Sequence, residues 1–214
     1  DYAGNSNTTG VAGIRVDTLA PSAIDYVSAS TETSGTNLSR TWIQINVTAT
    51  DAGGLANITV RLFNSTHGLI NSSTTTTSPN YVNFSGLTTN GVYYFNATAT
   101  DYLNQQNSTI TTRTVTIDTT GPSTVAVVSP AAGFNTTNRV LTINATATDG
   151  IALSYINVAV YNSTGYVNSS NATSSGVNTL LTVLADGTYT VNATAYDYAG
   201  NSNTTGVAGI RVDT

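Results

Sequence analysis

Apolar and polar residues alternate along most of this chain. In the stretch 43–50, Ile43, Ile45, Val47 and Ala49 fall on one face, and Gln44, Asn46, Thr48 and Thr50 on the other. That is the period-two pattern of a half-buried strand. It returns at 141–148 with Leu141, Ile143, Ala145 and Ala147 inward, at 58–62 with Ile58, Val60 and Leu62, and at 156–160 with Ile156, Val158 and Val160. The segments 94–100 and 189–196 alternate in the same way. No segment carries a capped helical stripe, and the abundance of Thr and Val favours strands over helices. The pattern predicts an all-β chain.

The strands also repeat in order. "INVTATD" at 45–51 returns as "INATATD" at 143–149, "VRLFNSTHG" at 60–68 as "VAVYNSTGY" at 158–166, and "YFNATATDY" at 94–102 as "TVNATAYDY" at 190–198. Two modules follow, at 19–119 and 120–214. Each has the size of an immunoglobulin-like β-sandwich, about 100 residues. A longer repeat overlies them: residues 1–18 and 197–214 are identical. The simplest reading is a head-to-tail array in which 1–18 is the C-terminal strand of a preceding repeat. Turn residues fall between the strands, in "DAGG" at 51–54, "LTTNG" at 87–91 and "LADG" at 184–187. Tyr93 and Tyr189 follow the last two. Each reads either as a tyrosine corner, its hydroxyl bonded back to the turn, or as an ordinary inward aromatic.

The run "VNATAYDYAGN" followed by "GIRVDT", with a proline beyond the next junction, resembles bacterial and archaeal Ig-like tandem modules of secreted or cell-surface fibrous proteins. Those carry T-A-x-D-x-x-G-N at the turn between the sixth and seventh strands (F and G), and V-D-T-x-x-P across the junction. The second module matches with "DYAGN" at 197–201; the first has "DYLNQ" at 101–105 and lacks the glycine. The resemblance implies a stalk, spacer or adhesive segment. It implies no particular binding site.

Composition narrows the function. There is no Cys, so no disulfide and no thiolate metal site. Charged residues are 8% of the chain, against about a quarter in ordinary domains. All six basic residues are Arg and none cluster, so nucleic acid has no electrostatic footprint here. No apolar run is long enough to insert in a membrane. No nucleophile set or phosphate loop appears, and His67, the lone histidine, lies in a turn context with no partner in view. The chain does not read as an enzyme. Trp42 opens a strand and reads as core-edge packing more than as a sugar platform.

Asn, Ser and Thr take the place of charge. The motif N-x-S/T occurs at Asn7, Asn37, Asn46, Asn57, Asn64, Asn71, Asn83, Asn96, Asn107, Asn135, Asn144, Asn162, Asn168, Asn171, Asn192 and Asn203. Random placement of these residue types would give roughly seven such motifs rather than sixteen. On a strand the Asn and the Thr of N-x-T share the solvent face. N-linked glycans would supply the hydration that charges normally give. The plainer alternative is that alternating Asn and Thr create the motif by accident. Such density without disulfides points to an archaeal, extracellular surface protein.

Ten of the eleven acidic residues are Asp, and they sit at matching places. Asp51 and Asp149 end the second strand (B) of each module, Asp101 and Asp197 end the sixth (F), and Asp17, Asp118 and Asp213 end the last (G). In a sandwich, B and F run to the same pole. A head-to-tail string brings the preceding module's last strand to that pole. Asp118, Asp149 and Asp197 should therefore gather at one seam, and Asp17, Asp51 and Asp101 at another. Interdomain calcium would neutralise such a cluster; the alternative is that each Asp caps its own turn.

These readings converge on a structural repeat unit of a long extracellular filament or stalk, partnered by identical neighbouring repeats. Two alternatives stand beside it. One is an adhesin module that binds glycans or other cell surfaces. The other is a surface-layer or sheath subunit that assembles laterally or by strand donation.

Overall fold

The computed structural model describes residues 2–3, 6, 10, 13–108 and 110–214, and among them the fold is all-β. In the first module β1 (Ala23–Tyr26), β3 (Ile43–Thr50) and β6 (Asn80–Phe84) form a three-stranded antiparallel sheet in the order β1-β3-β6. Against it lies a second sheet in the order β2-β9-β7-β4-β5: β2 (Thr36–Leu38), β9 (Arg113–Ile117), β7 (Gly91–Asp101), β4 (Leu55–Phe63) and β5 (Leu69–Thr75). The short β8 (Gln106–Asn107) also pairs with β7.

The second module repeats this plan. One sheet holds β10 (Ser123–Ser129), β12 (Val140–Thr148) and β15 (Asn178–Thr182), with β12 central. The other is ordered β11-β17-β16-β13-β14, from β11 (Asn135–Thr136), β17 (Ser202–Val212), β16 (Gly187–Asp197), β13 (Leu153–Asn162) and β14 (Gly165–Ala172). The strands β5 and β14, which follow β4 and β13, stay in the larger sheet rather than crossing to the smaller one. Among the described residues no helix is long and apolar enough to cross a membrane.

The alternation sets what is buried. Ile43, Ile45 and Val47 are wholly buried, as are Ile58, Val60 and Leu62 from the facing sheet and Phe95 from β7. Ile143, Ile156, Val158, Val160, Val191 and Ile210 fill the second core. The two cores are separate clusters. In β17 two residues, Ala208 and Gly209, stand opposite the single Thr190 of β16. Gly209 takes φ +75° there, a bulge conformation that costs glycine little. The bulge lets Ile210 and Val212 turn into the core after Val207.

The opening segment behaves differently from its C-terminal twin. Ile210 and Val212 are buried in β17, whereas the matching Ile14 and Val16 are 90% and 81% exposed. Residues 13–20 form no strand. The sequence has the right alternation, but a closing strand needs a neighbour in the place of β16, and β7 already pairs with β4, β8 and β9. The local pattern alone does not supply that ladder.

Because the cores are separate, Ile45→Ala should destabilise the first module and Ile143→Ala the second, each by about 2–5 kcal/mol. Urea unfolding of the two variants, followed by tyrosine fluorescence against the lone Trp42 of the first module, should show each substitution moving a different transition.

Candidate metal centres at the module seams

Each seam is built from three ends of chain. At the second seam, Asp118 follows β9 and continues its pairing through Asp118 N–H to the Leu38 carbonyl at 2.9 Å. Asp149 follows β12, and Asp197 closes β16. One carboxylate oxygen from each lies within 4.8 Å of the others. At the first seam Asp17, Asp51 and Asp101 meet under the same limit.

Turn capping and clustering coexist, because a carboxylate has two oxygens. Asp101 Oδ1 accepts from the N–H groups of Leu103 (2.8 Å) and Gln105 (2.9 Å). Asp197 Oδ1 accepts from Asn201 N–H at 2.9 Å. Asp149 Oδ1 accepts from the N–H groups of Ile151 and Ala152, both at 2.8 Å. Asp118 Oδ1 takes Thr120 N–H at 3.2 Å, and Asp17 Oδ1 takes Leu19 N–H at 3.2 Å. Capping fixes the side chains and leaves part of each cluster unsatisfied. Asp149 Oδ2 and Asp51 Oδ1 are screened from solvent and have no hydrogen-bond partner. A buried, unpaired carboxylate oxygen is costly, so each such atom calls for a cause.

The electrostatics agree. Asp101, Asp118 and Asp197 are almost wholly buried. The Asp118 carboxyl is pushed above its ordinary range chiefly by burial, with Asp197 and Asp149 adding to the shift and the Thr120 N–H opposing it. At an effective dielectric of about 20, two charges at this separation repel by about 3 kcal/mol, less where water reaches them. Among the described residues no arginine pairs with either cluster; the ion pairs use Glu32, Asp186 and Asp213.

The seams contain further residues that the motif reading did not single out. Gln105 Nε2 donates to the carbonyls of Asp17 (3.0 Å) and Leu19 (3.4 Å) and to Asp101 Oδ2 (2.9 Å). Its counterpart Asn201 donates from Nδ2 to the Asp118 carbonyl (2.8 Å) and to Asp197 Oδ2 (2.7 Å). Asn107 and Asn203 hold the next linker carbonyls, Pro21 at 2.7 Å and Pro122 at 3.1 Å. Aligning one module on the other would have found them: an amide side chain recurs four and six residues after the Asp that ends β7 or β16. The missing glycine of the first module is replaced in kind. Asn104 adopts φ +64° where Gly200 has +88°, and Asn tolerates that region. A Cβ at Gly53 would collide with the Asp17 carboxylate, so a larger residue there would push that side chain out of the cluster.

The remaining predicted residues are dispersed. Tyr93 is buried and its hydroxyl donates to the Thr88 carbonyl at 3.0 Å; Tyr189 does the same to the Ala185 carbonyl at 2.6 Å. Every asparagine of the N-x-S/T motifs is exposed or half-buried, except that Asn7 lies outside the described residues. His67 is an exposed turn residue whose ring stacks on Tyr94. Trp42 is half-buried beneath the Arg40 guanidinium, 3.7 Å from the ring centre. Asp213 is exposed and pairs with Arg211 at 2.9 Å.

No protein-family model matches the sequence, and neither does any curated protein. Solved structures do match. The fibronectin(III)-like modules of Clostridium thermocellum CbhA superpose with a TM-score of 0.55 at 20% identity, covering 89% of this chain and 94% of theirs. The FN1–FN3 domains of chicken CNTN1 align over 89% of this chain and 64% of theirs, at 11% identity and a TM-score of 0.43. The first likeness shows the fold: paired sandwiches of fibronectin(III)-like type.

Burial raises the pKa of the Asp118 carboxyl. Its proton is held more tightly in the folded chain than in the unfolded one. Its contribution therefore favours folding at low pH and is lost as pH rises through the folded-state value. With divalent cations chelated, Asp118→Asn should be more stable than the parent at pH 7, and the gap should close as pH falls through the carboxylate range. Thermal melts of both chains in EDTA across that range check this; a parent that is the more stable at pH 7 contradicts it.

Proposed function

We propose that this chain is a load-bearing segment of an extracellular filament or stalk, with sandwiches strung end to end, N-glycans on the polar faces and calcium at the seams. The observation that carries the reading is the likeness of the two seams. Three carboxylates, a capping turn and two amide donors recur at equivalent places although the surrounding sequences differ. A free linker would not need them. The linker is held from both sides, since Asn90 of the first module donates to the Thr120 hydroxyl at 3.0 Å while Asn201 of the second donates to the Asp118 carbonyl at 2.8 Å.

The donor set fits a hard cation. It offers only oxygen, and ligand atoms spaced within 4.8 Å suit an ion that binds oxygen at 2.3–2.6 Å. Asp17, Asp51 and Asp101, or Asp118, Asp149 and Asp197, would hold it. The unpaired oxygens of Asp51 and Asp149 would then have a partner. A bound cation ties two modules at a point where each supplies at least one ligand, which resists bending. The polar, weakly charged surface suits a chain that takes its hydration from sugars.

Calcium at a hundredfold excess over its dissociation constant should stabilise each seam by about 2.7 kcal/mol. The parent chain should melt higher in millimolar calcium than in EGTA, and Asp149→Asn should lose the second-seam part of the gain. Small-angle scattering should show a longer maximum dimension with calcium than without. Identical melting curves and scattering in the two buffers would remove calcium from the account.

A further inference from the structure

Resting on the glycoprotein reading above, we propose that glycan attachment is selective: Asn64 and Asn162, at the tips of equivalent hairpins, are the acceptors, and Asn107, Asn144 and Asn203 stay bare.

The two tip sites share one local geometry. Asn64 opens the turn between β4 and β5, and its Oδ1 accepts from Thr66 N–H (3.1 Å), the Thr66 hydroxyl (2.8 Å) and Gly68 N–H (2.8 Å). Asn162 ends β13, and its Oδ1 accepts from Thr164 N–H (2.9 Å) and the Thr164 hydroxyl (2.7 Å). The motif is thus folded on itself, with the hydroxyl of its third residue on the amide it modifies. Donors on the oxygen pull electron density from the amide and make its N–H groups more acidic. No described residue accepts from Nδ2 of either asparagine. The following residues, Ser65 and Thr66 or Ser163 and Thr164, are exposed.

The reaction consumes one of the two Nδ2 hydrogens. Nδ2 bonds to the anomeric carbon of a phosphate-activated sugar. The carbon–oxygen bond to phosphate breaks with its electron pair on the leaving phosphate, and the amide proton goes to a base. At a tip amide neither hydrogen is in use. Asn144 is the opposite case, because Nδ2 gives one hydrogen to the Gly176 carbonyl (2.7 Å) and the other to Asn178 Oδ1 (2.9 Å). A glycan there must break one of these bonds. Asn107 and Asn203 turn Nδ2 into the seams, onto Pro21 and Pro122. The same motif thus serves two ends: amides that hold the protein together and amides that are free to be modified.

The full chain, produced in a host that glycosylates N-x-S/T motifs, should be mapped by glycopeptide mass spectrometry. Occupancy at Asn64 and Asn162 should exceed that at Asn107, Asn144 and Asn203 by at least tenfold. Ile143→Ala, which loosens the second module, should raise occupancy at Asn144 and Asn203 and leave Asn64 unchanged. Equal occupancy at all five sites, or no response to Ile143→Ala, would overturn the selectivity while leaving the glycoprotein reading intact. A chain with no glycan at any position would overturn the glycoprotein reading itself.

Discussion

Like charges forced together at the poles organise this molecule. Each sandwich sends two strands, β3 and β7 or β12 and β16, to one end, and the incoming linker arrives at that end. An acidic residue at each of the three chain ends therefore meets the other two. Six of the ten aspartates are used in this way, in a chain where charge is otherwise scarce. The arginines do not compensate them: Arg40 lies over Trp42, Arg113 over Tyr26 and Arg15 over Tyr102. Backbone N–H groups and side-chain amides take some of the carboxylate oxygens, and the geometry leaves one at each seam with nothing. A fold that gathers carboxylates where its modules join concentrates its electrostatic cost at that joint.

The alternating strands could be read from sequence because burial on one face leaves a period-two trace, as in β3, β12, β4 and β13. The gathering of the aspartates could be read for a related reason, since strand direction in a sandwich determines which ends meet. Other parts left no such trace. The strand β5 has both faces largely exposed, so its residues "LINSSTT" show no alternation. The turn at Asn104 was obscured because the motif names a glycine, whereas the structure needs only a residue that tolerates positive φ. The amides of Gln105 and Asn201 show only when the two modules are aligned, because they differ in length while reaching equivalent linker carbonyls, those of Asp17 and Asp118. Residues 13–18 mark the opposite limit. Their pattern is that of a strand, but pairing depends on a neighbour that local sequence does not encode.

Hydroxyls and amides replace ion pairs on the sheet surfaces. Thr59 faces Thr74 at 2.9 Å, Thr194 faces Thr204 at 2.9 Å, and Asn157 donates to Asn171 at 2.7 Å. Cross-strand pairs of this kind stabilise a sheet without salt-sensitive charge. They do not guard its edges. β5 and β14 are edge strands, and neither carries the lysine that commonly discourages edge-to-edge pairing. Next to the first hairpin tip, Leu69 and Ile70 are 57% and 44% exposed, and Tyr166 beside the second is 63% exposed. The free amides of Asn64 and Asn162 stand at these two places. A sugar there would cover the exposed apolar residues and block the open edge of each module, while the modules remain free to join at their poles. Confining modification to the hairpin tips and cation chemistry to the seams would let the chain extend lengthwise without associating sideways.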